Sequence, residues 1–495
     1  MAKKTNGRGV TRKRQAERLS RLALEKVPTG IRGLDQVTHG GFPKNRTALV
    51  CGGPGAGKTL LGLEFLVRGI TLFNEPGVCI AFEETEEELA TNMASLGYDL
   101  PGFVRSKKLF IDYVHIERKH IEETGEYDLE ALFIRLRSAI EQVKAKRILL
   151  DTLEVLFLGL KDHSIIRAEL RRLFHWLKEA GVTAVITAEV GEKSLTRYGL
   201  EEYVADCVLL LDHRVNEQVS TRRLRVVKYR GSSHGTNEYP FLMDDEGISV
   251  IPITSLGLTH KASSERISSG VPALDQMLDG QGFFRGSSIL ITGTAGTGKS
   301  SFCASFANAA CSSGERAVYF AFEESPSQIL RNMNSVGVDL SPWMQRDLLH
   351  IHASRPTVVG LESHLASMYN EVHDFKPHVV IVDPITNLIT VGDLGAVKAM
   401  LTRLIDFLKM QGITAMFTNL VFGDDVDERA IGISSLMDTW LVLRDIPHGS
   451  ERVRTLNLLK SRGMPHDTRV HGFTLSNKGI FLNGSYQTIQ AIGQR

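Results

Sequence analysis

The chain is two copies of one pattern, and that repeat restricts the fold more than any other feature. Val27-Pro-Thr-Gly30-Ile-Arg-Gly-Leu-Asp35 matches Ile267-Ser-Ser-Gly270-Val-Pro-Ala-Leu-Asp275. Cys79-Ile-Ala-Phe-Glu83-Glu84 matches Tyr319-Phe-Ala-Phe-Glu323-Glu324, 240 positions later. Arg147-Ile-Leu-Leu-Asp151 matches Val379-Val-Ile-Val-Asp383 at 232, and Lys228-Tyr229-Arg230-Gly231 matches Lys460-Ser461-Arg462-Gly463 at the same offset. Thr183-Ala-Val-Ile-Thr187 likewise matches Thr414-Ala-Met-Phe-Thr418. Offsets that change only between motifs are small loop deletions in two copies of one fold. The 495 residues would allow two large domains or three smaller ones. The repeat decides for two, with the boundary near 256.

Each copy opens on the same phosphate-binding pattern. Thr47-Ala-Leu-Val-Cys-Gly52 leads into Gly53-Pro-Gly55-Ala56-Gly57-Lys58-Thr59, and Ser288-Ile-Leu-Ile-Thr-Gly293 into Thr294-Ala-Gly296-Thr297-Gly298-Lys299-Ser300. An apolar strand, G-x-x-x-x-G-K-[ST], then an amphipathic run is the context in which a P-loop is believed. The glycines let backbone N–H groups curl around phosphate oxygens, and the following helix N-terminus adds its positive end. Lys58 and Lys299 would then reach the β- and γ-phosphates, and Thr59 and Ser300 would ligate Mg2+.

Apolar runs alternate with helical stretches such as Ile166 to Glu179 and Gly395 to Met410. The fold class expected is α/β: two tandem domains, each a mostly parallel sheet flanked by helices. Closely spaced later strands (Cys207 to Asp212, Leu224 to Tyr229) suggest an antiparallel extension. In such a sheet ligands sit beyond the carboxyl ends of the strands. Asp151 and Asp383 each end an apolar strand, as a carboxylate holding Mg2+ would. Glu83-Glu84 and Glu323-Glu324 also end strands. One of each pair is a candidate base that orients or deprotonates an attacking group, and a charge pair at a helix N-terminus is the plainer alternative. Lys228 and Arg230, with Lys460 and Arg462, are candidate fingers for transition-state charge, acting in cis or on a neighbour, unless they are solvated edge charges.

The remaining composition mostly excludes. A net charge of +1 argues against a general polyanion binder. No run of 18 uncharged apolar residues predicts a membrane span, and the N-terminus has no secretory apolar core. The five cysteines contain no CxxC and read as buried small hydrophobes in a reducing cytoplasm. Residues 1–18 form a basic, flexible arm.

The P-loop, the Phe-Glu-Glu strand end, the apolar strand with Asp and Lys-x-Arg-Gly, twice in one chain, resemble the KaiC family of circadian-clock ATPases. The resemblance covers about residues 20 to 485. Arg197-Tyr-Gly-Leu-Glu201-Glu202-Tyr-Val-Ala-Asp206, and Arg230-Gly-Ser232-Ser-His234 leading to Glu238-Tyr-Pro-Phe, are similar to its first domain. The resemblance implies two tandem RecA-like P-loop domains over 19–255 and 256–495, a double-ring homohexamer and ATP between neighbours. It implies nucleotide contacts from Gly53, Gly55, Ala56, Gly57, Lys58, Thr59 and Leu60, with Ser95 near the base and Asp151 at the metal. Lys228, Tyr229, Arg230, Ser232 and His234 would reach the site from the next subunit. In the second domain the set is Thr294, Gly296, Thr297, Gly298, Lys299, Ser300 and Ser301 with Asp383. Arg454, Lys460, Ser461, Arg462 and His466 would act in trans. Metal ligands would be Thr59, Asp151, Ser300, Glu323 and Asp383. Glu83, Glu84, Glu323 and Glu324 would be the catalytic carboxylates.

Gly432-Ile-Ser434-Ser435-Leu-Met-Asp438-Thr439 resembles the autophosphorylation segment of that family, with Ser-Ser in place of Ser-Thr. Tyr203-Val-Ala-Asp206 in the first copy lacks paired hydroxyls. The resemblance thus implies hydrolysis in the first ring, and serine autokinase activity with hydrolysis in the second. A capping serine pair is the plainer reading. The chain stops at Arg495, short of the tail that recruits the activating partner KaiA, so that activation is not expected. Arg429 stands where the family often has threonine. Together with the Ser434-Ser435 pair, Arg429 suggests a homologue outside the core clock. A KaiB-like partner on the first domain is expected near Glu122-Glu-Thr-Gly-Glu-Tyr-Asp128. The alternative of another class is a RecA-type DNA-handling ATPase, but nucleic acid is not expected as a partner, because only the basic arm favours it.

Overall fold

The computed structural model describes residues 24–114, 129–157, 162–191, 195–196, 199, 204–216, 219–252, 262–421, 432–448 and 451–485. The basic arm, the Glu122–Asp128 loop, Arg197, Glu201, Glu202 and Arg429 lie outside them. The chain divides into two compact units between Pro252 and Ile253, with Val215–Thr221 grouped with the second.

In the first unit a ribbon of β1 (Lys26–Val27) and β2 (Phe42–Pro43) precedes β3 (Thr47–Gly52), β4 (Gly77–Ala81), β5 (Leu109–Tyr113), β6 (Arg147–Asp151), β7 (Thr183–Glu189), β8 (Cys207–Asn216), β9 (Val219–Tyr229), β10 (Glu238–Asp244) and β11 (Gly247–Val250). These last nine form one sheet in the order β5-β4-β6-β7-β3-β8-β9-β10-β11. Strands β5 to β8 pair in parallel, and β10 runs antiparallel to β9 and to β11. Every residue of β3, β4 and β6 is buried, which is why they read as unbroken apolar runs rather than alternating ones. The main flanking helices are α1 (Lys58–Phe73), α2 (Glu86–Ala94), α3 (Glu130–Val143) and α4 (His163–Glu179).

The second unit repeats this plan. After the β12 (Arg266–Ile267) and β13 (Phe283–Phe284) ribbon come β14 (Ser288–Gly293), β15 (Ala317–Ala321), β16 (Leu349–Ala353), β17 (Val379–Asp383), β18 (Thr414–Leu420), β19 (Thr439–His448), β20 (Glu451–Ser461), β21 (His471–Ser476) and β22 (Gly479–Ser485). Their order is β16-β15-β17-β18-β14-β19-β20-β21-β22. Here α5 (Lys299–Ser312), α6 (Pro326–Ser335), α7 (Leu361–Phe375) and α8 (Leu394–Met410) flank the sheet. The expected antiparallel extension is β8–β11 in one unit and β19–β22 in the other. No helix of the described residues is long and apolar enough to cross a membrane. All five cysteines are buried and free.

In each unit the first central strand sits where chain order reverses across the sheet. β3 lies between β7 and β8, and β14 between β18 and β19. That switch point opens a crevice at the carboxyl end of the strand, where both P-loops begin.

The units differ in how the first helix meets the sheet. Gly69 on α1 lies over Arg147, where an added Cβ would come within 2.4 Å of the arginine Cδ. The fully buried guanidinium donates to Glu75 (2.7 Å), the Phe65 carbonyl (2.9 Å) and the Pro28 carbonyl (2.9 Å), and it covers the Phe65 ring. In the second unit the matching residues are Ala310 and Val379. Arg147→Ala removes the buried cation that joins Glu75 to two carbonyls, so it is expected to destabilise the first unit by about 3 kcal/mol. A denaturant titration of the full chain should show one transition moving while the other stays; a change below about 1 kcal/mol would show that the network contributes little.

Candidate nucleotide sites

In the first unit α1 begins at Lys58 from a left-handed Gly57 (φ +96°), a conformation that a side chain would strain. Lys58 is nearly buried and folds back to donate to the carbonyls of Gly52 (2.9 Å) and Gly53 (3.1 Å). The Thr59 hydroxyl donates to Asp151 Oδ2 at 2.8 Å, and Thr187 donates to Oδ1 of the same carboxylate. Burial raises the pKa of Asp151, and the hydroxyls of Thr187 and Thr59 with the Lys58 charge oppose the rise.

The glutamate pair is set by a helix start. Thr85 caps α2 in a capping box with Glu88, which leaves Glu83-Glu84 just ahead of the helix, beside Asp151. Asn92 donates to Glu84 at 3.0 Å and Thr152 donates to Glu83 at 3.4 Å. Burial raises the pKa of Glu84, and the charges of Asp151, Glu88 and Glu83 add to it. Hydroxyl and carboxylate oxygens gathered at a P-loop are the hard donors that suit Mg2+. Ser95 ends α2 and donates to the Asn92 carbonyl at 2.7 Å. Next to it Gly97 and Tyr98 line a cavity of about 420 Å3 with Asp244, Asp245 and Glu246.

The second unit reproduces most of this arrangement, with Pro384 in place of Thr152, Thr297 in place of Ala56 and a different set of donors on the aspartate. Gly298 is left-handed (φ +99°), and Lys299 donates to Gly293 (2.9 Å) and Thr294 (2.8 Å) carbonyls. Burial lowers the pKa of Lys299, against the pull of Asp383 and Glu323. Ser325 and Gln328 form the capping box of α6, and Asn332 donates to Glu324 at 2.9 Å. A cavity of about 320 Å3 opens onto Gly296, Lys299, Ser300, Glu323, Glu324 and Asp383. Asp383, however, accepts from Thr418 and from Tyr319 rather than from Ser300. Ser301 and Thr297 are buried, and Thr297 closes the loop onto Thr294 at 2.8 Å.

Lys460 and Arg462, two of the candidate trans residues, lie at the other end of the sheet. Ile289 pairs with Thr439, and Trp440 with Lys460, so Lys460 stands beside the start of β14. β14 has six residues. At about 3.3 Å per residue, its P-loop end lies roughly 17–20 Å away. Lys460 donates to the Ser434 carbonyl (2.9 Å) and Arg462 to that of Ser435 (2.7 Å). Ser434 is half-buried and Ser435 exposed. The segment is tied down by Asp438, which accepts from the Ser288 backbone (2.9 Å) and pairs with Lys409 (2.8 Å). Burial works against the Asp438 charge, but the Lys409 and Ser288 donors outweigh it and hold the carboxyl below its usual range.

Not all the candidates gather there. Arg454 pairs with Asp445, past the P-loop end of β14, away from Lys460 on the same strand. Ser461 is buried against Thr439, and His466 reaches the Met464 carbonyl at 3.4 Å. In the first unit the Arg230 backbone donates to Asp206, whose own N–H donates to Thr47 at the start of β3. Tyr229 donates to the Gly41 carbonyl at 2.8 Å, and its ring stacks with His234. Ser232 donates to the Ser233 carbonyl. Lys228 precedes them on β9. Ala56 lies within the loop and Leu60 in the first turn of α1.

The family model described as ATPase: KaiC matches residues 27–255 and, again, 267–485. The chain belongs to the KaiC ATPase family. It is 56% identical over 468 residues to the Circadian clock protein KaiC2 of Synechocystis sp., covering 94% of this chain and 82% of that protein. It is 37% identical over 480 residues to the Circadian clock oscillator protein KaiC of Synechococcus elongatus (95% and 91% covered). With that of Thermostichus vulcanus it shares 36% over 477 residues (96% and 92%). Within this KaiC fold, three sets of partners escaped the sequence reading. They are Asn92 and Asn332 on the glutamates, Thr187 and Thr418 on the aspartates, and Tyr319. The repeat held the signal for the first two sets, since each Asn stands eight residues after its Glu in both copies and each Thr ends the matched five-residue segment.

Proposed function

We propose that this chain is a homohexameric ATPase and serine autokinase, a nucleotide- and phosphorylation-dependent switch in the cytoplasm, outside the core clock. The first domain (19–255) hydrolyses ATP, and the second (256–495) also transfers phosphate to Ser434 and Ser435. A KaiB-like protein is the partner proposed for the first domain. The observation that carries the reading is the separation within one unit. The P-loop and glutamates occupy one end of the sheet, and the serines with Lys460 and Arg462 the other. Each half is then completed by a neighbouring copy.

In this reading Gly296, Gly298 and Lys299 hold the phosphates, and Glu323 or Glu324 takes the proton as a neighbour's serine oxygen bonds to the γ-phosphorus and the bond to the β-phosphate oxygen breaks. Mg2+, held by Ser300, Glu323 and Asp383 (Thr59 and Asp151 in the first domain), would neutralise phosphate charge. Lys460 and Arg462 face the charge that develops. Phosphoserine there would add about two negative charges to a segment already held by cations.

Mass spectrometry of the chain after incubation with Mg-ATP, beside Ser434→Ala/Ser435→Ala, tests this. Up to two phosphates in the wild type and none in the variant are expected. No phosphate with ATP still consumed would leave an ATPase without kinase activity and reopen the DNA-motor reading.

A further inference from the structure

The two nucleotide sites differ at a buried position that faces the aspartate. Cys79 on β4 and Tyr319 on β15 hold the same register, each two residues before the alanine that pairs with the metal-site aspartate. In the first unit the small cysteine leaves Thr59 in direct contact with Asp151 at 2.8 Å. In the second the Tyr319 hydroxyl takes that place on Asp383 Oδ2, and the Ser300 side chain faces the phenol instead. Tyr319 is 1% exposed and carried on a strand paired on both sides, by β16 and β17, so burial and packing hold its hydroxyl in place. Thr59 needs only a rotation about its own side-chain bond to release its aspartate.

We propose that Tyr319 is a positioning residue that keeps Asp383 off Ser300 and so weakens divalent-cation binding in the second site relative to the first. A phenol donating to Oδ2 withdraws negative charge from the carboxylate and occupies the oxygen that the loop hydroxyl meets in the first site. This makes the two domains unequal in metal occupancy through one side chain. It rests on the assignment of Asp383 and Ser300 to the metal made above.

The test is an electron paramagnetic resonance titration of the full chain with Mn2+ and adenylyl imidodiphosphate. Two classes of bound Mn2+ are expected, and Asp383→Asn should remove the weaker. Tyr319→Phe should tighten that class alone by about three- to tenfold, the range that one hydrogen bond's net contribution spans. If Tyr319→Phe fails to fold by thermal melting, Tyr319→Cys, the residue found in the first copy, should shift the class in the same direction. An unchanged or weakened class in a folded variant overturns the inference while leaving the metal assignment intact. If Asp383→Asn leaves both classes, the assignment itself fails and the inference with it.

Discussion

Replacing Glu323 and Glu324 together by glutamine stops phosphate appearing on Ser434 and Ser435 while ATP still binds. The amides keep the shape of the carboxylates and can still pair with Asn332, but they cannot accept the serine proton. A positioned base contributes about 10²–10⁴ in rate, so phosphate incorporation should fall by at least that lower factor. Nucleotide binding should persist because Lys299 and the loop glycines are untouched. Peptide mass spectrometry with a filter-binding control reads both. The split site adds a sharper version. Mixing this variant with Ser434→Ala/Ser435→Ala chains should place phosphate on the glutamine chain, since its serines are served by a neighbour's carboxylates. Phosphate on the isolated glutamine variant would mean another base, or a route needing none.

Lys58→Ala dissolves the hexamer at limiting ATP. Lys58 has its ammonium pinned between the Gly52 and Gly53 carbonyls, nearly buried at the root of the loop. Removing it deletes the charge that would face the phosphates. Losing one partner of such a pair costs about 2–5 kcal/mol. That raises the ATP dissociation constant by roughly thirty- to several-thousand-fold. If nucleotide bridges subunits, the assembly loses the same free energy at each first-domain interface. Sedimentation velocity at stepped ATP concentrations should show the hexamer boundary collapse in the variant where the wild type holds. An unchanged profile would falsify bridging by nucleotide in the first domain.

Much of the site was legible because its chemistry is local. Gly57 and Gly298 are needed for a left-handed turn that any reader of the loop can place, and Lys58 and Lys299 follow them directly. The aspartates and glutamate pairs end apolar strands, so the alternation of run and charge puts them at one edge. What the carboxylates hold on to was not legible. Thr59 and Asp151 are 92 residues apart, and Tyr319 and Asp383 are 64 apart. Nothing in spacing says that β4 lies beside β6, or β15 beside β17.

The sequence by itself determined the duplicated α/β plan, the two phosphate loops, the acids at the strand ends and the KaiC kinship, since each follows from short patterns repeated in register. Only the tertiary structure decided that Lys460, Arg462 and the serines sit at the far end of the sheet from their own P-loop. It alone decided that Arg454 parts from them, and that a phenol stands on Asp383 where a loop hydroxyl stands on Asp151. The reason is that strand order and register, set by burial of whole apolar faces, fix which distant side chains meet.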